Sequence, residues 1–209
     1  MSLDSIRLRV QQYYDEKIRT HGPVARGVDW NSSESQQLRF VQLLRIVDKH
    51  IPFTVNDFGC GYGALAEYLE ENAYQFRYLG FDISSEMIAK AKNLHAGSTR
   101  VDFVDKEQAL TTADYTLASG IFNVKQNTAE SDWEKYVLAT LETINTVSAT
   151  GFAFNILTKY SDAEFMRPDL YYADPLFYFD YCKQNFSRFV TLLHDYPLYE
   201  FTLLVRKAV

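Results

Sequence analysis

The run Val55-Asn56-Asp57-Phe58-Gly59-Cys60-Gly61-Tyr62-Gly63, with Asp82 lying 23 residues beyond Gly59, holds the residues best suited to chemistry. Glycine is required where a backbone turns sharply and a ligand approaches it closely, because a Cβ would clash with both. An acid at the tip of the next strand, here in Tyr78-Leu79-Gly80-Phe81-Asp82-Ile83-Ser84, can accept hydrogen bonds from two ribose hydroxyls. The glycine spacing is G-x-G-x-G, not the G-x-G-x-x-G that brings a pyrophosphate onto a helix N-terminus. Asp57 ahead of the loop would repel a pyrophosphate and suits a cationic ligand. Cys60 reads as a small residue of the loop. Without a ligand the run would be a tight strand-to-helix turn and Asp82 an ordinary helix cap. The apolar strand before it, the helical pattern of Ala64, Leu65, Tyr68 and Leu69 after it, and the distal acid together weigh against that.

The elements that position these residues follow from periodicity. Residues 4–20 read as an amphipathic helix, with Ile6, Val10, Tyr13, Tyr14 and Ile18 toward one face and Gly22-Pro23 as its stop. A polar connection from Ala25 to Ser32 carries Trp30. The next helix starts at Ser33 with Gln36 in a capping box and aims Leu38, Val41, Leu44 and Val47 at a core. Strands over 53–58, 76–82, 100–104, 114–121 and 151–157 then alternate with helices, except that 105–113 is short and irregular. The helix over 131–148 opens with Ser131 and Glu134, a second capping box, and another opens with Asp174 as N-cap and Pro175 as its first residue. Phe189–Leu193 and Leu198–Val205 form a hairpin around Tyr196-Pro197. Repeated strand and helix predict an α/β fold, a doubly wound, mostly parallel sheet of seven strands with helices on both faces.

At 209 residues and 47% hydrophobic content, the chain reads as one domain, 1–209, with a helical cap over 1–50 and a core over 51–209. No apolar run reaches about 18 residues and no signal-peptide order precedes the first helix, so no membrane span and a cytoplasmic location are expected. Cys60 and Cys182 read as reduced thiols. A formal charge of −6, with no basic stripe, disfavours a nucleic-acid partner. His21, His50, His95 and His194 are scattered, and no metal is expected. Oligomeric state is left open.

The glycine run with its acid resembles motif I of the class I S-adenosylmethionine-dependent methyltransferases, whose cofactor carries an amino group and a sulfonium and no phosphate. The resemblance covers residues 53–209 and implies a Rossmann-like sheet whose last strand runs antiparallel. Gly27–Ser32, Ala118–Val124 and His194 to Lys207 are similar to a group of small bacterial methyltransferases loosely associated with cell-surface polysaccharide genes. By this resemblance Asp57 takes the cofactor's amino group, Gly59, Gly61 and Gly63 pass beneath its methionine portion, and Asp82 holds the ribose diol. Ile83 and Met87 pack on the adenine, and Ser119 and Gly120 make backbone contacts. Asp105 reaches the adenine amine or belongs to a solvated charge run with Lys106 and Glu107. Phe122 and Asn123 point toward the methyl donor, Tyr171, Tyr172 and Tyr199 shape the acceptor site, and Tyr14 and Trp30 form a lid.

His194 is the candidate base, since its unperturbed pKa lies near about 6.5; alternatively it is a turn residue bonded to Asp195. The family's pattern of Asn or Asp, two prolines and an aromatic is missing after the fourth strand, which disfavours nucleobase and amide nitrogen as acceptors. The resemblance therefore implies methyl transfer to a small-molecule acceptor, oxygen favoured, a sugar or cell-surface glycan precursor being one such class. A non-catalytic cofactor-binding sensor or scaffold competes with that reading. An NAD-dependent oxidoreductase is opposed by Asp57 and the glycine spacing.

Overall fold

The computed structural model describes residues 1–28 and 32–207. Two helices, α1 (Leu3–His21) and α2 (Ser33–Leu43), precede an alternating series: β1 (Phe53–Phe58), α3 (Ala64–Glu71), β2 (Phe76–Phe81), α4 (Ser85–Leu94), β3 (Val101–Val104), β4 (Ala113–Ala118), α5 (Glu130–Thr146) and β5 (Ser148–Leu157). Then come α6 (Pro175–Asn185), β6 (Phe189–Leu193) and β7 (Glu200–Arg206). The strands form one seven-stranded sheet in the order β3-β2-β1-β4-β5-β7-β6. β1 to β5 are mutually parallel, and β7 runs antiparallel between β5 and β6. The order reverses between β1 and β4, and a crevice opens beyond the carboxyl ends of the strands at such a point.

Strand alternation sorts the core into two layers. Phe58, Phe81, Ala118, Phe152, Phe154, Phe201 and Val205 face a layer completed by α5 and α6 through Trp133, Leu141 and Tyr178. Their neighbours Phe53, Val55, Leu117, Ala153 and Leu204 face Leu43, Leu65, Leu69 and Ile88 of α2, α3 and α4. Burying both faces explains why these strands read as near-continuous apolar runs.

Several boundaries differ from the sequence reading. Ser32, not Ser33, caps α2, its hydroxyl accepting from the Ser35 amide at 3.2 Å. Gln36 is thereby freed from a capping box and accepts instead from the Tyr62 hydroxyl at 3.2 Å. The buried face of α2 is Gln36, Arg39, Phe40 and Leu43, while Val41 is exposed. No side chain caps α5. Its first turn carries Glu130 and Asp132, which complement the helix dipole directly. Asp174 does cap α6, accepting from the Leu176 amide at 3.0 Å, with Pro175 in the first turn. β4 stops at Ala118 and not at residue 121, because Gly120 turns the chain out of the sheet at φ +69°.

Candidate functional site

Beyond the carboxyl ends of β1, β2 and β4 lies a cleft, where a sheet of this topology binds small ligands. Its floor is the turn between β1 and α3. Gly59 and Gly61 adopt φ of +82° and +55°, a region that side chains strain to enter. A Cβ on Gly59 would meet Ile121 Cγ2 at 2.2 Å, and one on Gly61 would meet Val28 Cγ1 at 2.8 Å. The Gly59 and Cys60 amides donate to the Phe81 carbonyl at 2.7 and 2.9 Å, fastening the loop to the end of β2.

Among the described residues two carboxylates, Asp57 and Asp82, line this cleft. Tyr78 of β2 donates its hydroxyl to Asp57 at 2.7 Å. Burial pushes the Asp57 carboxyl up to about 7, the Tyr78 bond opposing and the nearby Asp82 charge adding to the rise. Asp82 accepts from the Gly61 amide and from the Ser84 amide, each at 2.9 Å. Burial lifts it to about 6, against those two bonds, with Asp15 of α1 adding to the rise. Ser84 in turn donates its hydroxyl to Asp15, tying α1 to the rim. No Lys, Arg or His lines the cleft among the described residues. The buried Ser119 hydroxyl, also on its wall, has no hydrogen-bond partner among the described residues. Burial raises the Cys60 thiol well above its ordinary range, so it stays a neutral wall residue.

A second cavity shares Tyr14, Val28 and Gly120 with the first. Arg39 and Glu200 lie on its wall as a buried ion pair, with Arg39 Nε 2.8 Å from Glu200 Oε2 and Nη2 2.7 Å from Oε1. Asn123 donates its side-chain amide to Glu200 Oε1 at 3.3 Å and accepts from the Leu157 amide at 3.1 Å. An outer hollow of about 940 Å³ shares Arg39, Leu157 and Glu200 with this cavity and is also lined by Tyr199.

Residues 56–145 match the family described as methyltransferase domain. A Mycobacterium tuberculosis protein provisionally named methyltransferase Rv1506c is 50% identical over 165 residues, which are 79% of this chain and 99% of that one. The chain belongs to the class I S-adenosylmethionine-dependent methyltransferases. Solved structures share the fold at low identity. Magnesium protoporphyrin IX methyltransferase from Synechocystis PCC 6803, with bound S-adenosylmethionine, has a TM-score of 0.66 at 14% identity, covering 100% of this chain and 98% of its own. The N-methyltransferase NodS from Bradyrhizobium japonicum WM9, in complex with S-adenosyl-L-homocysteine, has a TM-score of 0.65 at 13% identity, covering 94% and 97%.

In this methyltransferase the structure brings Asp57, Gly59, Cys60, Gly61, Asp82, Ile83, Met87, Ser119, Gly120 and Tyr14 to one cleft. It separates others from it. Gly63 caps α3 at φ +90°, and its hydrogen faces His95 and Phe103, each 2.8 Å from a built Cβ, so packing accounts for it. Asp105 is exposed past the end of β3 and does not line the cleft, in keeping with the solvated charge run. Phe122 is fully buried against Phe154, and only its carbonyl is used, by the Trp133 indole at 2.8 Å. Tyr171 bonds the Tyr178 hydroxyl at 3.1 Å within the core, and Tyr172 accepts from the Arg167 amide at 2.9 Å. Tyr199 is 42% exposed and reaches only the outer hollow. Trp30 lies outside the described residues.

His194 is exposed, packs its ring near Tyr160 and Phe201, and lines none of the three cavities. The base assignment is opposed by that exposure, since His194 lines neither the first cleft nor the second cavity.

Sequence reasoning missed Gln36, Phe40, Tyr62 and Tyr136 on the first cleft and Arg39 and Glu200 on the second. The signal for the last two was present: an arginine beside Phe40 and Leu43 on the buried helix face, and an acid opening the apolar run Glu200-Phe201-Thr202-Leu203-Leu204-Val205. A buried charge requires a partner, but 161 residues separate these two.

Proposed function

We propose that this methyltransferase binds S-adenosylmethionine in the cleft beside Asp57 and Asp82 and transfers its methyl group to a hydroxyl of a small molecule held in the second cavity. The observation that carries the cofactor's placement is the charge of the cleft: two carboxylates and, among the described residues, no cationic side chain. Such a lining repels a pyrophosphate and attracts an ammonium and a sulfonium. Asp57 is the partner for the amino group. Asp82 spends two of its roughly four acceptor positions on backbone amides and keeps the others for two ribose hydroxyls. Ile83 and Met87 offer apolar contact to a purine, and the partnerless Ser119 hydroxyl supplies a further polar contact.

The bound cofactor supplies an activated methyl group. The chain's part is alignment in a water-poor site, which can supply much of the acceleration for such a displacement. Fold alone leaves the acceptor open. An oxygen acceptor is favoured by the missing proline-rich amino-acceptor motif and by the buried carboxylate beside the second cavity; the Arg39, Asn123, Arg167 and Glu200 side chains there are suited to the hydroxyls of a sugar or glycan precursor. We take residues 1–209 as one methyltransferase domain in which residues 1–50 cap the core. No helix among the described residues is long and apolar enough to cross a membrane. Cys60 and Cys182 are free and buried, which fits our reading of a reducing, cytoplasmic setting.

Calorimetry with S-adenosylhomocysteine against NADH tests the cofactor. Methyl-labelled S-adenosylmethionine, offered with panels of monosaccharides, phenols, carboxylic acids and amines, tests the acceptor. Binding of NADH would overturn the first assignment. Labelling of amines alone would overturn the oxygen reading, and cofactor binding with no labelled product would favour a sensor.

A further inference from the structure

We infer that Glu200 is the proton acceptor of the reaction, taking the proton of the acceptor hydroxyl in the second cavity and releasing it to solvent through the outer hollow. This inference rests on the oxygen-acceptor reading above.

Four observations carry it. First, Glu200 lines both the cavity adjoining the cofactor cleft and the open hollow beyond it, so one carboxylate borders the reacting space and the exit. Second, the carboxylate is fixed. Oε1 receives Arg39 Nε at 3.0 Å, Arg39 Nη2 at 2.7 Å and Asn123 Nδ2 at 3.3 Å. Third, Oε2 accepts only from Arg39 Nε, at 2.8 Å, among the described residues, leaving a lone pair for a ligand. Fourth, the holders are positioned themselves: Arg39 donates Nη1 to the Ser35 carbonyl at 2.8 Å, and the Asn123 carbonyl receives the Tyr171 amide at 2.8 Å. A buried ion pair adds little to stability compared with apolar residues of the same volume, so its presence at a cavity wall calls for another use.

The step balances. The hydroxyl oxygen forms a bond to the methyl carbon as the carbon–sulfur bond breaks and its electron pair stays on sulfur. The oxygen, made strongly acidic by the new bond, gives its proton to Glu200 Oε2. A weak base suffices, because the proton's acidity rises during the transfer. Tyr14, Arg39, Asn123 and Arg167 are the charged and polar side chains sharing the second cavity with Glu200. Arg167 is held by Asp169 at 3.1 Å.

The test uses the full chain and a hydroxyl compound that the wild type methylates in the labelled panel. Glu200→Gln should keep S-adenosylhomocysteine affinity, and acceptor affinity for the S-adenosylhomocysteine complex, within about threefold, while kcat falls roughly a hundredfold or more. Glu200→Ala should bind the acceptor about tenfold more weakly by calorimetry and recover turnover with added formate, a small carboxylate able to enter the vacated space. If Glu200→Gln does not fold with Arg39 unpaired, Arg39→Gln combined with Glu200→Gln, read against Arg39→Gln alone, makes the same comparison without a lone buried charge. A pair that only pins α2 to β7 would give lower thermal stability in these variants, unchanged kcat and no response to formate, and that pattern overturns the inference. A wild type that binds S-adenosylhomocysteine yet methylates no hydroxyl compound overturns the oxygen reading and this inference with it. Hydroxyl methylation that survives Glu200→Gln at full rate overturns this inference alone.

Discussion

Asp57→Asn separates the charge of the cofactor cleft from its shape. The substitution keeps an oxygen for the Tyr78 hydroxyl, now 2.7 Å from the carboxylate, and removes only the ionisation. Hydrogen bonds to charged groups are worth about 1.5 to 3 kcal/mol, so at pH 8 the variant should bind S-adenosylhomocysteine roughly ten- to a hundredfold more weakly. The pH profile carries the sharper test. With burial placing the Asp57 carboxyl at about 7, the ligand-free wild type holds a proton there below neutrality and must lose it to receive an ammonium. Affinity should therefore rise with pH up to about 7 and level off above it. Between pH 7 and pH 5 the ionised fraction falls from about one half to about one hundredth, so the loss should be roughly fiftyfold, or about 2.3 kcal/mol.

Asp82 titrates in both proteins, so the difference between the two curves isolates Asp57. Stability should move the opposite way. A carboxyl raised from 3.8 to about 7 contributes stability that is full below 3.8 and lost as pH rises through 7. At pH 8 the wild type has paid on the order of 4 kcal/mol for burying the charge, so the ligand-free variant should melt higher there and lose this advantage toward pH 4. Calorimetry across pH 5 to 8 with thermal melts checks both. Parallel affinity curves for the two proteins, or equal affinity at pH 8, would refute the assignment of Asp57 to a cationic group.

The remaining expectations concern the loop, the second acid and the rejected base. Gly61→Val should abolish S-adenosylhomocysteine binding and lower the melting temperature, since the new Cβ falls 2.8 Å from Val28 at φ +55°; retained calorimetric binding would mean the loop is not a ligand floor. Asp82→Ala should cost about 1 to 3 kcal/mol of cofactor affinity and also destabilise the ligand-free protein, because two backbone amides lose their acceptor. Denaturant melts that match the wild type would contradict the second half. His194→Asn should leave turnover within about twofold of wild type, as expected of an exposed edge-strand residue; a hundredfold drop would reinstate it as a base.

The sequence alone determined the parts whose physics is local. Glycine's access to positive φ marked the β1–α3 turn, strand and helix periods marked the alternating elements, and Asp57 with Asp82 marked two acids that the fold brings to one cleft. Strand order was legible only through family resemblance, because hydrogen-bond pairing between β5 and β7 is a contact between distant segments. The tertiary structure decided what depends on direction and distance. It turned Phe122 and Tyr171 into core, left Asp105 in solvent, and showed Gly63 answering to Phe103 and His95 rather than to a ligand. It moved the candidate base as well. His194 and Glu200 are only six residues apart in the chain, yet one opens onto solvent at the sheet edge and the other forms part of a cavity wall against Arg39. The antiparallel insertion of β7 between β5 and β6 makes that difference, since it carries the start of β7 back beside the carboxyl end of β5 while β6 is held at the rim.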